Sequence, residues 1–238
     1  MKIGVYTVPK SGTHFVSDII ALMIDSNTDI YSKEKMYQLV HHLTCKKGLS
    51  DCTYFNTHPS YIDLEYLLSI NTRLICVIRN PLDVCISRYF YNEKRKEPAK
   101  QRSIFEYVKN TIKPVCQEII YFYQQCNKNN KCIIIKFEDL ITNIDNSLFK
   151  IYNFINKYNE LSPPKYEIIK QKINFNIVQE KEKKNGIYKV GRIQNTLFHR
   201  SGKIGQSKEH FSKKQIIQLL NSIPKQIFEF YPSNLYIS

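Results

Sequence analysis

Apolar positions in the first part of the chain follow one pattern twice. Ile3-Gly4-Val5-Tyr6-Thr7-Val8 is rich in β-forming residues and stops at Pro9, after which Phe15, Ile19, Ile20, Leu22 and Met23 recur at helical spacing. This predicts strand, loop, helix. Arg73 to Arg79 is a continuous apolar run between charged ends, the mark of a parallel strand covered on both faces. Asn80-Pro81-Leu82-Asp83 then opens a helix with an N-cap, a proline at the first helical position and an acid in the first turn.

Further elements fill the remainder. Thr53 to Thr57 reads as a short strand ending in His58-Pro59, and Ser103-Ile104-Phe105-Glu106 as a capping box for a long helix to about Cys126, kinked by Pro114. Lys131 to Phe137 reads as a third buried strand, followed by a helix from about Asn146 to Lys157. A helix to about Lys172, a polar stretch to Phe198 and a last helix capped by Ser212 with Gln215 complete the reading. Alternating strands and helices predict an α/β fold: three α/β/α layers around a central parallel sheet, with ligands bound beyond the strand carboxyl ends. At 238 residues a single domain over residues 1–238 is expected.

Composition changes this picture only in sign and compartment. A formal charge of +14 favours anionic partners, although runs such as Lys94-Arg95-Lys96 and Lys181 to Lys184 read as solvated surface. The seven cysteines, Cys45, Cys52, Cys76, Cys85, Cys116, Cys126 and Cys132, form no CxxC pair or metal-ligand spacing, so reduced thiols, no metal and a cytoplasmic location are expected. No apolar run reaches the length of a membrane span.

Candidate chemistry concentrates at the predicted loops. Pro9-Lys10-Ser11-Gly12-Thr13 lies between the first strand and its helix, where backbone N–H groups and the helix dipole attract an anion. Its lysine precedes its only glycine, unlike a Walker A loop. Read alone, it is equally an ordinary βα turn. Arg79 ends a strand and Ser87 lies two turns into the next helix; by themselves they read as a strand cap and a solvent-facing serine. Phe198-His199-Arg200-Ser201-Gly202-Lys203-Ile204-Gly205 is a basic, glycine-containing stretch suited to a phosphate lid, or to a plain surface loop.

In this order and spacing the segments together resemble the sulfotransferase family and its signatures for 3′-phosphoadenosine 5′-phosphosulfate (PAPS). Pro9 to Thr13 matches the PKSGT loop, Arg79 to Ser87 the RNPxDxxxS element, and Arg200 to Gly205 the RKGxxGDWK segment. The resemblance implies a P-loop-like fold, PAPS as co-substrate and PAP as product. It also implies that Lys10, Ser11, Gly12 and Thr13 hold the 5′-phosphosulfate, with His14 adjoining, while Arg79, Ser87, Arg200, Ser201 and Gly202 hold the 3′-phosphate. Phe15 stands where the family has a Trp near the adenine, and Phe137 where it has a Tyr. His58, in Asn56-Thr57-His58-Pro59, matches the KTHLP-type stretch and is the implied general base, with Lys10 and Ser87 as catalytic companions.

Departures from the family pattern are Asn56 for a lysine, Ser201 for the lysine of RKG, and Gln206-Ser207 for Asp-Trp; Lys203 is a candidate to replace the charge missing at Ser201. The implied acceptor is a small molecule or glycan carrying a hydroxyl or amine, its identity and the oligomeric state being illegible. The competing readings are a divergent P-loop kinase or NTPase, and a non-catalytic module binding polyanions. No motif for specific nucleic-acid recognition is present.

Overall fold

The computed structural model describes residues 1–27, 41–43, 46–49, 52–93, 102–159, 161–184 and 202–232. Five parallel strands form the central sheet: β1 (Lys2–Thr7), β2 (His41–His42), β3 (Tyr54–Thr57), β4 (Thr72–Ile78) and β5 (Cys132–Lys136), in the order β2-β3-β1-β4-β5. Each apolar run alternates between two cores, as the period-2 geometry of a strand requires. Tyr6, Val8, Leu74, Cys76 and Ile78 enter one core; Ile3, Val5, Ile75, Val77 and Ile135 enter the other.

Helices cover both faces, giving the expected three layers. Helix α1 (Thr13–Ile24) follows β1; α2 (Leu64–Ser69) precedes β4; α3 (Pro81–Glu93) and α4 (Ile104–Asn127) follow it. After β5 come α5 (Phe137–Thr142), α6 (Ile144–Asn159), α7 (Tyr166–Lys172) and α8 (Phe175–Lys184), then α9 (Ser207–His210) and α10 (Lys213–Leu220). Val16, Ile19, Ile20, Leu148, Ile151 and Ile155 close the core on one side of the sheet, while Val84, Val108, Ile112, Ile119 and Leu219 close the other.

The expected N-caps form, although at Ser103 the structure gives the serine's half of the capping box without a reciprocal Glu106 bond. Asn80 Oδ1 accepts from the Leu82 N–H at 3.0 Å, Ser103 Oγ from the Glu106 N–H at 3.2 Å, and Ser212 and Gln215 make a reciprocal capping box.

Several expectations require correction. Helix α4 runs on through Pro114, which is exposed, so the proline does not end it. Phe137 begins a helix rather than ending a strand. The supposed polar stretch after Lys172 contains α8, a helix that a mostly hydrophilic sequence conceals. Arg200 and Ser201 lie outside the described residues.

Strand order decides where a ligand fits. The chain leaves β1 toward β2 and β3 on one side, then crosses to β4 and β5 on the other, so the order reverses at β1. Loops diverge at such a reversal and open a crevice at the carboxyl ends of the strands. Those ends deliver Thr7 and its loop, His58 after β3, Arg79 after β4 and Phe137 after β5.

Candidate functional site

The loop after β1 is built for close backbone approach. Lys10 and Gly12 hold positive φ angles of 75° and 100°, so the loop turns sharply before α1 begins. A Cβ on Gly12 would stand 2.5 Å from the Phe137 ring, which fills the space beneath the loop. Gly12 supplies no side-chain cap, and α1 has no acid in its first turn. Its first N–H groups and its dipole therefore present positive character to the crevice. Ser11 is fully buried, and its Oγ has no hydrogen-bond partner among the described residues. A buried orphan hydroxyl beside an uncapped helix start fits an anionic group.

Thr7 connects this loop to His58. Its Oγ1 lies 2.6 Å from Thr13 Oγ1 and 3.0 Å from His58 Nδ1, while its carbonyl oxygen lies 2.8 Å from the same nitrogen. A carbonyl only accepts, so Nδ1 carries the proton and donates it. In the neutral ring the lone pair then resides on Nε2, the nitrogen needed for accepting a proton. His58 is half-buried, packed 5.7 Å from the Tyr61 ring.

Arg79 joins two distant loops. Its Nη2 donates to the Lys203 carbonyl at 2.7 Å, its Nη1 reaches the Lys10 carbonyl at 3.4 Å, and its guanidinium stacks 4.3 Å from the Phe137 centroid. It is 6% exposed, with Asp83 at 3.8 Å as counter-ion. Burial draws its pKa below the usual arginine value, and the charges of Asp83 and Glu138 push it back. Arginine remains a cation under such a balance.

Asp83, a first-turn acid within the Arg79 to Ser87 element, anchors the third segment. Its carboxylate accepts the N–H of Gly205 and the N–H of Gln206, both at 2.8 Å. The described part of the presumed lid, residues 202–206, is thus a fixed turn. Gln206 contributes to this anchor through its main chain, which any residue supplies, and its side-chain amide donates to the Lys203 carbonyl at 3.2 Å. Gly202 packs directly on the Phe175 ring of α8. The Lys203 ammonium pairs with Glu209 at 2.7 Å on the surface, and its carbonyl, rather than its charge, serves the site. We expect Asp83→Asn to lower stability by about 1.5–3 kcal/mol, the scale of hydrogen bonds to a charged group, in denaturant titrations.

Asp83, Ser87 and Tyr91 follow one another at i,i+4 along α3 and share a stripe. Ser87 is half-buried there. The Lys10 ammonium rests 3.3 Å from the Tyr91 ring centroid, a cation–π contact that the sequence did not disclose. His14 and Phe15 occupy the first turn of α1, both half-buried, with the Phe15 ring edge-on to Phe137 at 6.3 Å. Thr7 and Tyr91 are the residues beside the candidate site that the sequence left unmarked; Tyr91 carried a signal in its helical spacing from Ser87, whereas Asp83 lay within the Arg79 to Ser87 element and Glu138 followed the marked Phe137.

Glu138 holds the floor. Its carboxylate accepts from the Asn80 N–H at 2.8 Å and from the Tyr231 hydroxyl at 3.0 Å. Burial raises its pKa, opposed by the Asn80 hydrogen bond and Arg79. A raised carboxyl pKa means that the protonated form favours the fold. Its contribution is complete below the unfolded value near 4.5 and is lost as pH rises through the higher folded value. Glu138→Gln should therefore remove that pH-linked loss, visible as a flatter dependence of thermal midpoint on pH above 4.5 than the wild type shows.

Comparison with known proteins places this geometry. The chain is 24% identical over 97% of its length to 3-beta-hydroxysteroid sulfotransferase of Cavia porcellus, covering 84% of that protein, and 23% identical to Sulfotransferase 2A1 of Homo sapiens, covering 89% of this chain and 79% of that one. Among solved structures it resembles retinol dehydratase in complex with androsterone and PAP, with TM-score 0.71, 14% identity and coverage of 95% and 80% of the two chains. Mouse sulfotransferase SULT7A1 complexed with PAP matches with TM-score 0.65 and 15% identity, covering 93% of this chain and 82% of that one. These likenesses show the P-loop-like α/β fold. Because the model of the sulfotransferase domain matches residues 2–227, spanning the β1 loop, the Arg79 element and the turn at Gly202, the chain belongs to the sulfotransferase family.

Proposed function

We propose that this protein transfers a sulfuryl group from PAPS to a hydroxyl or amine of a small-molecule acceptor, by in-line displacement, with His58 as general base. The observation that carries the proposal is the position of Thr7, which touches both Thr13 of the anion-binding loop and Nδ1 of His58. It sets the candidate base beside the candidate donor site and fixes its tautomer. PAP-bound solved relatives and the names of the hydroxysteroid sulfotransferases support the donor and an apolar alcohol as acceptor. A glycan acceptor has no comparable support.

Each residue then has a physical task. The N–H groups of Gly12 and Thr13, with the orphan hydroxyl of Ser11, bind the 5′-phosphosulfate oxygens. Lys10 leaves Tyr91 to neutralise charge growing on the oxygen between sulfur and phosphorus. That contact is worth about 0.5–1 kcal/mol at a partly exposed ring, little enough to be given up. Nε2 of His58 takes the acceptor proton, and the Thr7 carbonyl stabilises the resulting imidazolium through Nδ1–H.

On the other side, Arg79 ties the Lys10 loop to the 203–206 turn and, with Ser87, Gly202, Arg200 and Ser201, forms the 3′-phosphate subsite. Phe15 and His14 border the adenine side, and Phe137 supports Gly12 and Arg79 from beneath. Lysine and arginine supply the counter-charge, so the proposed reaction uses no metal. A cytoplasmic location belongs to this reading, and no helix among the described residues is long and apolar enough to cross a membrane.

The test is transfer of ³⁵S from labelled PAPS to a panel of hydroxysteroids, phenols and amines. Labelled product is expected without added metal. Mg²⁺-dependent ATP turnover with no sulfuryl transfer would instead establish the kinase reading.

A further inference from the structure

The expectation of no metal-ligand cluster held only along the sequence. In the fold, the Sγ atoms of Cys76, Cys126 and Cys132 all lie within 4.8 Å of one another. Two come from neighbouring strands: Cys132 pairs with Leu74 and Cys76 with Ile134, so the two cysteines sit two positions apart on one face of the sheet. The third comes from the last turn of α4. A tight turn fixes it there, the Asn129 N–H donating to the Cys126 carbonyl at 3.1 Å and the Cys132 N–H to the Asn129 carbonyl at 3.0 Å.

We propose that Cys76, Cys126 and Cys132 form a three-thiolate site for a soft monovalent metal ion, best matched by copper(I). The site is independent of the sulfotransferase chemistry, because β5 begins at Cys132, the end of the sheet opposite the carboxyl-terminal crevice. A metal–sulfur bond of about 2.3 Å in a trigonal arrangement places sulfurs about 4 Å apart. Small side-chain movements bring these three to that spacing. Among the described residues the group holds no fourth His, Cys, Asp or Glu, whereas structural zinc takes four ligands.

Three soft thiolates in an apolar shell suit copper(I) instead. Cys76 and Cys126 are 0% and 1% exposed, and Tyr6 and Phe122 pack with them in the same core. Cys132, only partly buried, is the entry point. Arg73 donates to the Asn130 carbonyl at 3.2 Å and lies close enough to act on Cys132 electrostatically, a counter-charge for an anionic thiolate complex. On binding, three S–H bonds give way to three Cu–S bonds, the protons pass to solvent, and no electrons are exchanged.

The experiment titrates the reduced full-length chain anaerobically with copper(I) against the chelator bathocuproine disulfonate. One copper(I) per chain should be withdrawn from the chelator, with three sulfur neighbours in X-ray absorption. Cys132→Ser should weaken binding by at least about 100-fold, beyond the usual effect of removing an outer-shell partner. Cys52→Ser, whose hydroxyl can keep the hydrogen bond to Gly48, should change nothing.

Copper remaining with the chelator, fewer than three sulfur neighbours, or equal effects of the two substitutions would each overturn the proposal. So would formation of a disulfide among these cysteines with no copper retained. The absorption measurement on the wild type stands even if a variant fails to fold.

Discussion

His58→Ala should lower kcat for sulfuryl transfer by about 10²–10⁴-fold, the usual contribution of a positioned general base. PAP affinity should change little, because the Thr7 hydroxyl that His58 touches still pairs with Thr13 of the β1 loop at 2.6 Å. The split separates chemistry from donor binding: single-turnover rates report the first, calorimetry the second. Wild-type turnover by His58→Ala would remove the general base from the scheme.

Gly12→Ala should cripple donor binding and destabilise the fold together. Alanine at a φ of 100° meets backbone strain of roughly 1–2 kcal/mol. Its Cβ also intrudes to 2.5 Å from the Phe137 ring, and overpacking of that kind costs about 1–3 kcal/mol. Phe137 cannot retreat freely, because its ring is also packed against the Arg79 guanidinium, 4.3 Å from its centroid. The expected total is about 2–5 kcal/mol of stability in denaturant unfolding, with loss of measurable PAP affinity. Gly12→Ala/Phe137→Leu should recover part of the stability by relieving the clash, but not the affinity, since the strain at residue 12 persists.

Legibility followed chain distance. The β1 loop and the start of α3 could be read because each is a contiguous strand-loop-helix unit whose residue types have local reasons: a glycine for the turn, an asparagine and a proline for the cap. Asp83 was visible as a first-turn acid, but its partners Gly205 and Gln206 lie 122 and 123 positions away and no periodicity announces them. The same distance hid the Arg79 contact with Lys203. Tyr91 was obscured because its task is to offer an aromatic face to a lysine on another element.

The thiol cluster shows the complementary limit. Cys76, Cys126 and Cys132 have no metal-ligand spacing, and only the register of β4 against β5 brings them together. Helix α8 was missed for a different reason: its sequence, FNIVQEKEKK, has few apolar positions with which to mark a buried face.

The central claim is that the β1 loop, Arg79 and the 202–206 turn form one cradle for a doubly phosphorylated adenosine. Calorimetric titration of the wild-type chain with PAP, without metal, tests it most directly. One saturable site per chain is predicted, strongly weakened when the 3′-phosphate is absent from the ligand. No binding, or equal affinity for the ligand lacking that phosphate, would contradict it.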